Sequence, residues 1–509
     1  MTHDTKPKDG LDRRNFIKNS MAVGVGALLA SLPVREAAAA AQTAAQVWPG
    51  TKTENPLLDL QAYISVLEKK GLLARVQTEV DLVHELAGVA RHFEGKEVVL
   101  FEKVRGYDMP VLIGLMWCRE NIAALLDVPA QKLPFHILGA MEKWKSAPKD
   151  DPAVLPLIVN DAPAQEMRIN PVDVTTLPSP VLALEDGGPY LSNSVVIAKD
   201  PDTGVRNASI HRCMITGPNR MTFLMDEGRH LRDYYERAEQ RNEPLEITIS
   251  NGVNIPSAIA AVTPESVAPL DTDELGIASV LLGEPVRLCK SLTVAPEGLA
   301  DAQFIIEGKL LPHVREPEGP FGEVSGYYAA EDNRWVVHIT AITRRRNPIV
   351  HTLLPGAEVY NFVGLTAEAA VFRSVSAQIG GIINVHLAHS GGGFYSAVVQ
   401  MDPTAPGLAK QAILATFKAF PPLQIVTVVN SDIDIFDADD VQWAMATRFN
   451  PDNDLVIVQN VPGHELNPQV KNGLVTKTGF DCTWMAPQPD TFKRVAFKEI
   501  DPSKYKIRK

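Results

Sequence analysis

Two glutamates, Glu318 and Glu323, flank Gly-Pro-Phe-Gly within Arg315–Tyr328, REPEGPFGEVSGYY. A proline and two glycines in four residues do not continue a helix. They make a sharp turn that lets another molecule approach the backbone closely. A turn between two acids can aim both at one small volume. If that volume is dry, the two cannot both ionise easily, and their pKa values separate. One protonated acid beside one charged acid is the raw material of proton-transfer catalysis. The same spacing also describes a solvated hairpin tip, so the rest of the chain has to decide between the two.

Three further stretches carry donor groups. Asn207-Ala-Ser-Ile-His-Arg212 reads as a strand whose alternation turns Asn207, Ser209 and His211 one way and Arg212 the other. Such a dense polar run fits a ligand or an exposed sheet face. Arg229-His230 stands at a helix start, where free N–H groups and positive potential favour phosphate. Asp271–Gly276, DTDELG, is an acid cluster at a turn or helix start; a plain N-cap gives the same pattern. Asn207, His230 and Glu274 together offer oxygen, nitrogen and oxygen donors. That set suits Mg²⁺ or Mn²⁺ with phosphate in the remaining positions.

These groups need elements to position them. Leu57–Gly71 has helical apolar spacing and a Lys-Lys-Gly stop. Leu73–Val80 reads as a strand, Val83–Phe93 as a helix and Glu97–Phe101 as a strand, so the opening is α/β and free of GxGxxG or P-loop motifs. From Leu177 to Thr343 the pattern is β. Ser194–Lys199, Val205–Thr216 and Met221–Met225 are separated by Asp200–Gly204 and Gly217–Arg220, an antiparallel meander by turn chemistry. Leu245–Ile249, Ala258–Val262, Val286–Leu292 and Trp335–Thr343 continue it, with Gly228–Gln240 as an inserted helix. A split-barrel-like β domain is the economical assembly. After Asn347 the chain returns to α/β, with helices over Glu368–Ile379, Gly407–Ala419 and Val441–Thr447 and a strand over Leu423–Val429.

The fold expectation is therefore α/β and β: an N-terminal α/β region over 56–176, a central split-barrel-like domain over 177–345, and a C-terminal α/β domain over 346–500. A chain of 509 residues is too long for one core. Its net charge of −12 argues against nucleic acid as the main partner. Cys118, Cys213, Cys289 and Cys482 are widely spaced and form no CxxC pair, which speaks against a cysteine zinc site. At the start, Arg13-Arg14 with Phe16 and Lys18, the apolar run Met21–Leu32 and the small residues Ala37–Ala41 look like a twin-arginine export signal over 1–41. A linker over 42–55 follows. Export to the periplasm is the expectation, with a cytoplasmic location if the signal goes unused. The apolar run is too short for a membrane anchor.

In this order, the pieces resemble the UbiD-type decarboxylase family over Leu57–Gly479. Glu318–Glu323 with Gly326–Tyr328 is the most specific mark, Asn207–Arg212 the second, and Asp432–Arg448 the third. The resemblance implies a carboxy-lyase using prenylated FMN, a divalent metal (Mn²⁺ or Mg²⁺) and K⁺. It would act reversibly on an aromatic, heteroaromatic or α,β-unsaturated acid. Arg212, Glu318 and Glu323 match the family's catalytic set, with Glu323 returning a proton to the carbon that CO₂ leaves. Asn207, His230 and Glu274 match its metal ligands. Ser209, Ile210, His211 and Arg229, with Asn207, Arg212 and His230, fall where members touch the flavin. Also implied are a homo-oligomer (dimer or hexamer) assembled through the C-terminal domain and a flavin prenyltransferase that supplies the cofactor. His351 is a candidate substrate contact or a structural histidine at a strand end. A carboxylase and a flavin-binding split-barrel oxidoreductase are the alternative functions. If Asn207 and Arg212 both meet the cofactor, the strand has to bulge or end between them.

Overall fold

The computed structural model describes residues 55–505. The signal reading over 1–41 and the linker up to residue 54 lie outside the described residues.

The N-terminal helix Leu60–Lys69 begins at Asp59, whose side chain accepts from Gln61 N–H. It buries Leu60, Tyr63, Ile64 and Leu67, one stripe at helical spacing. Next to it stands a four-stranded sheet in the order Leu73–Val76, Val98–Phe101, Val111–Ile113, Val350–His351. Its last strand comes from the far side of the central domain and pairs in parallel with Val111–Leu112. The N-terminal sheet is thus completed by residues more than two hundred positions downstream.

Six strands build the centre: β1 (Tyr190–Lys199), β2 (Arg206–Gly217), β3 (Arg220–Phe223), β4 (Leu245–Asn251), β5 (Phe304–Glu318) and β6 (Asp332–Arg344). They pair in the order β5-β4-β1-β2-β3-β6, and β6 pairs again with β5, which closes a six-stranded barrel. Closure removes the sheet edges that an open meander would leave. The strands are apolar on both faces. Val196, Ala198, Ile247, Ile249, Phe304 and Ile306 belong to one core cluster. The alternate residues Val195, Ile197 and Ile305 belong to a second, shared with the helices α2 (Ile255–Ala261) and α3 (Leu275–Leu282). The inserted helix, α1 (His230–Glu239), buries Leu231, Tyr234, Tyr235 and Ala238.

Two strand expectations are corrected here. Ala258–Val262 belongs to α2, capped by Asn254, whose side chain accepts from Ser257 N–H; all seven helical residues are buried. A short run that is apolar on every side has no periodicity to separate helix from strand. Val286–Leu292 yields only Arg287–Cys289, which pairs with Leu157–Val159 and Gly298–Leu299 in a small sheet outside the barrel.

The C-terminal region opens with α4 (Ala357–Ser376), eleven residues before the expected start. Its five-stranded mixed sheet runs Ile382–Leu387, Ser396–Met401, Ile425–Val429, Leu474–Cys482, Leu455–Pro462. Helices Leu408–Ala419 and Ala438–Arg448 match the sequence reading closely. The four cysteines are free thiols.

One buried ionic junction ties the regions together. Glu368 of α4 is 1% exposed, and its Oε1 accepts from Arg119 Nη2, Leu387 N–H and the His386 ring, each at 2.8 Å. Burial raises its pKa, but Arg119 and His386 outweigh that and leave it lowered. Glu368→Ala strands a buried guanidinium, so unfolding should become easier by about 3–5 kcal/mol, read as a shifted urea midpoint with unchanged slope. The stabilisation of the wild type is present at neutral pH. It is lost as pH falls through the lowered carboxyl value.

Candidate active site

The barrel strand β5 ends on Glu318, and the chain turns through Gly319 and Pro320. Phe321–Gly322 then pairs antiparallel with Tyr328–Ala329. Glu323 begins the loop of this hairpin; its N–H donates to Tyr327 O at 2.9 Å. A second loop, 183–189, grips the turn from outside. Gly187 N–H donates to Pro320 O (2.7 Å), and Gly322 N–H donates to Asp186 Oδ1 (2.8 Å). Gly187 has to be glycine, because a Cβ there would collide with the Gly319 carbonyl. The solvated-tip reading does not hold for the glutamates. Glu318 is 0% exposed and the Glu323 side chain 12%, whereas Tyr327 at the tip is 62% exposed.

Both acids meet Arg212 of β2. Arg212 donates through Nε to Glu318 Oε1 (2.9 Å) and through Nη2 to Glu318 Oε2 (2.8 Å), a bidentate pair. Nη1 donates to Glu323 Oε1. The Phe321 ring lies 4.9 Å from the guanidinium carbon. Tyr190, the first residue of β1, donates its OH to Glu318 Oε1 at 2.9 Å, and its ring packs on Phe321 at 4.4 Å.

Burial pushes the Glu323 carboxyl above its ordinary value, and the adjoining Arg212 only partly reverses this. Burial opposes the charge on Arg212 as well. There the Glu318 hydrogen bonds and the charges of Glu323 and Glu318 win and hold it protonated. Three of the five guanidinium N–H groups are used by the two acids, which leaves two for an incoming carboxylate.

The strand problem has a geometric answer. Pairing between β1 and β2 is regular from Lys199↔Arg206 to Ser194↔His211, so Asn207 and Arg212 do point to opposite faces. The irregularity falls one residue later and on the neighbour: Ser192 and Asn193 of β1 stand opposite Arg212 alone. A bulge of this kind bends the sheet beside the arginine. Its residues are held by the strand Val350–His351 and by Thr352 just beyond it. Ser192 Oγ meets Thr352 Oγ1 at 3.0 Å, and Asn193 Nδ2 lies 3.0 Å from the His351 ring. His351 is buried, and burial lowers its pKa to about 3. These contacts favour the structural reading of His351.

The second cluster also converges. Asn207 Nδ2 lies 2.6 Å from Glu274 Oε1 and 3.4 Å from His230 Nδ1. Ala208 N–H donates to the same Glu274 oxygen at 2.7 Å. Glu274 Oε2 and His230 Nε2 are buried with no hydrogen-bond partner. Burial, with Asp273 beside it, raises the Glu274 carboxyl well above its ordinary range. Burial lowers His230, so its ring is neutral and able to ligate. Among the described residues no three His, Cys, Asp or Glu side chains form a metal cluster. This set reaches three donors only through the Asn207 amide.

Neighbouring hydrogen bonds accommodate either a cation or a protonated Glu274 at that set. His211 Nδ1 lies 2.9 Å from Leu224 O, so it carries the proton and Nε2 accepts from the Ser209 hydroxyl at 2.9 Å. Ser209 Oγ also lies 3.3 Å from the Asn207 amide oxygen, but its one proton is already used. Turning the amide over lets Asn207 donate to Ser209 and aims its oxygen at Glu274. Only a cation or a protonated acid makes that arrangement favourable. Arg229 is exposed at the N-cap of α1 and makes no capping bond, so the N–H groups at that helix start are available to a phosphate. Ile210 faces the other way and packs against the α2–α3 cluster.

The sequence reading missed Tyr190, Asp186 and Gly187. Its only available signal was Gly187-Gly-Pro-Tyr190 leading into a strand.

Comparison with known proteins and structures places the chain in one enzyme class. The chain belongs to the UbiD family of carboxy-lyases. The match covers that family's 3-octaprenyl-4-hydroxybenzoate carboxy-lyase N-terminal domain over residues 64–141, its Rift-related domain over 157–358 and its C-terminal domain over 360–482. Among relatives, a Rhodospirillum rubrum protein described as an uncharacterized protein in the cooM 5' region is 47% identical, covering 87% of this chain and 95% of its own. Anhydromevalonate phosphate decarboxylase of Methanothermobacter thermautotrophicus is 33% identical, covering 83% and 97%. The solved UbiD-class enzyme HmfF of Pelotomaculum thermopropionicum, in complex with FMN, superimposes with a TM-score of 0.82 at 38% identity, covering 88% of this chain and 99% of that one. Membership of a carboxy-lyase family sets aside the split-barrel oxidoreductase.

Proposed function

We propose that this chain decarboxylates an aromatic, heteroaromatic or α,β-unsaturated acid without net oxidation, using prenylated FMN with Mn²⁺ or Mg²⁺ at Asn207, His230 and Glu274. K⁺ belongs to the same proposal, with no residue assigned. The observation that carries it is the buried Arg212 shared by Glu318 and Glu323. Support for the cofactor comes from HmfF structures in complex with FMN and with prFMN. Support for the substrate class comes from the related gallate decarboxylase of Lactiplantibacillus plantarum and the similar structure of Klebsiella pneumoniae 3,4-dihydroxybenzoic acid decarboxylase.

When bound, the modified flavin supplies the electron sink that loss of CO₂ from an sp² carbon requires. The protein supplies the rest. Arg212 holds the substrate carboxylate through its two remaining N–H groups, and Glu318 keeps the guanidinium in place. The surrounding burial excludes water. Glu323, whose carboxyl burial raises above its ordinary value, is the acid placed to return a proton to the carbon that CO₂ left. Adding CO₂ uses the same groups in reverse.

The test is a panel of gallate, 3,4-dihydroxybenzoate, vanillate and cinnamate, with CO₂ release and the mass of the bound flavin as readouts. Turnover with a flavin heavier than FMN by a prenyl group is expected. Ordinary FMN and no CO₂ from folded, flavin-loaded protein would overturn the reading. Glu274→Gln should weaken Mn²⁺ binding by at least about 10–100-fold, the loss expected when even an outer partner of a metal ligand is removed. Free Mn²⁺ measured by electron paramagnetic resonance reads this directly, and unchanged binding removes Glu274 from the set. Homo-oligomer assembly, cofactor supply by a flavin prenyltransferase and twin-arginine export belong to the same proposal. Arg13→Lys with Arg14→Lys should abolish export of a reporter fused to residues 1–45.

A further inference from the structure

Glu318 faces a distribution problem. Arg212 can give its N–H groups to Glu318, to Glu323 or to a substrate carboxylate, and every group pulled toward Glu323 favours the charged form of the proton donor. Something has to keep the guanidinium paired with Glu318. The only other side chain that reaches Glu318 among the described residues is Tyr190, 1% exposed, whose OH donates to the Oε1 that also takes Arg212 Nε. The ring cannot swing away. It packs on Phe321, Met214 completes the same small cluster, and Phe321 in turn lies against the Arg212 guanidinium. The backbone is equally fixed, since Tyr190 N–H donates to Pro180 O and loop 183–189 is bonded to the Glu318 turn.

We infer that Tyr190 is a positioning residue, acting through Glu318: its phenol locks that carboxylate onto Arg212 and so leaves Glu323 free to hold the transferable proton. The inference rests on the proposed proton-donor role of Glu323 and goes one step further, to the group that sets it.

The charged and titratable groups around Glu323 are few. Arg212 comes from β2, and Glu318 joins it there from the end of β5. Asp226, from the segment before α1, raises its pKa. Tyr395, from the C-terminal region, senses its charge and has a buried OH with no partner. Of these, only Glu318 loses a hydrogen bond when the Tyr190 OH is removed. That loss frees Glu318 to turn, releases Arg212 toward Glu323 and favours the Glu323 anion. A proton donor is active below its pKa, so the alkaline limb of the pH–rate profile moves to lower pH.

Tyr190→Phe should lower kcat about 10–100-fold, the size of a hydrogen bond to a charged group, and move the alkaline limb down by about one unit. The probe is whichever of gallate, 3,4-dihydroxybenzoate, vanillate and cinnamate turns over fastest. Enzyme carrying 3-fluorotyrosine at position 190 keeps the ring and strengthens the donor, and its limb should move up; it decides the question even if Tyr190→Phe does not fold. Met214→Leu, which disturbs the packing alone, should leave the limb in place. In a Glu318→Gln background Tyr190→Phe should add no further shift. A ¹³C NMR titration of glutamate-labelled protein, with Glu323→Gln to assign the resonance, reads the same shift without turnover. A functional reading that fails for lack of any substrate is thereby separated from this inference. An unmoved Glu323 titration in both Tyr190 variants, or equal shifts in Met214→Leu, overturns it.

Discussion

Glu323→Gln should cut turnover by about 10²–10⁴-fold, the usual contribution of a positioned acid, while cofactor content stays the same. Glutamine keeps the shape and can still accept from Arg212, but it has no acidic proton. The wild-type carboxyl is raised mainly by burial, against the pull of Arg212. Turnover is therefore sustained while Glu323 is protonated and declines as pH climbs through its raised value. That limb should be missing from the residual activity of Glu323→Gln. Steady-state rates from pH 5 to 9, with the flavin absorbance recorded in parallel, check both points. Full activity in the variant removes Glu323 as the donor.

Arg212→Met should have a large effect on stability. It leaves the fully buried Glu318 with a single donor, the Tyr190 OH, and Glu323 with no cation. Removing one member of a buried ionic set costs about 3–5 kcal/mol. Arg212→Lys separates charge from geometry. Lysine keeps the cation but cannot make the two-pronged bond to Glu318. Its fold should survive, with kcat reduced by about 10²-fold or more, as expected when a reacting group is displaced by about an ångström. Thermal unfolding and kcat measured on the same preparations distinguish the two outcomes.

Local signals carried most of the fold. The barrel hairpins were legible because Asp200–Gly204 and Gly217–Arg220 carry turn chemistry between apolar strands. What failed was decided by tertiary context. In α2 every residue is buried, so no stripe marks a helix. The first half of α4 was missed because Val359, Val363 and Gly364 weaken helix propensity there. Gly364 has a packing reason: a Cβ would sit 3.1 Å from the Gly393 carbonyl. The return of Val350–His351 to the N-terminal sheet is a long-range pairing with no local mark.

The site divides in the same way. Glu318 and Glu323 were legible as a pair of acids around a Gly-Pro turn, whereas Arg212 joined them only through the family resemblance. Asn207, His230 and Glu274 could be proposed as a donor set, but only the closed barrel with its inserted helices brings them together. Tyr190 looks like any strand-initiating aromatic. Its partner is 128 residues away, and the contact exists only because β5 and β1 are both in the barrel wall.

The borrowed fourth strand also constrains the order of events during synthesis. Ile113 leaves the ribosome well before Val350, and at typical elongation rates the gap is roughly 10–50 s. Throughout that interval the nascent amino-terminal layer has an unfilled edge next to Val111–Ile113, the kind of surface to which chaperones or a neighbouring nascent chain can attach. Maturation of this layer therefore waits for translation to pass the barrel.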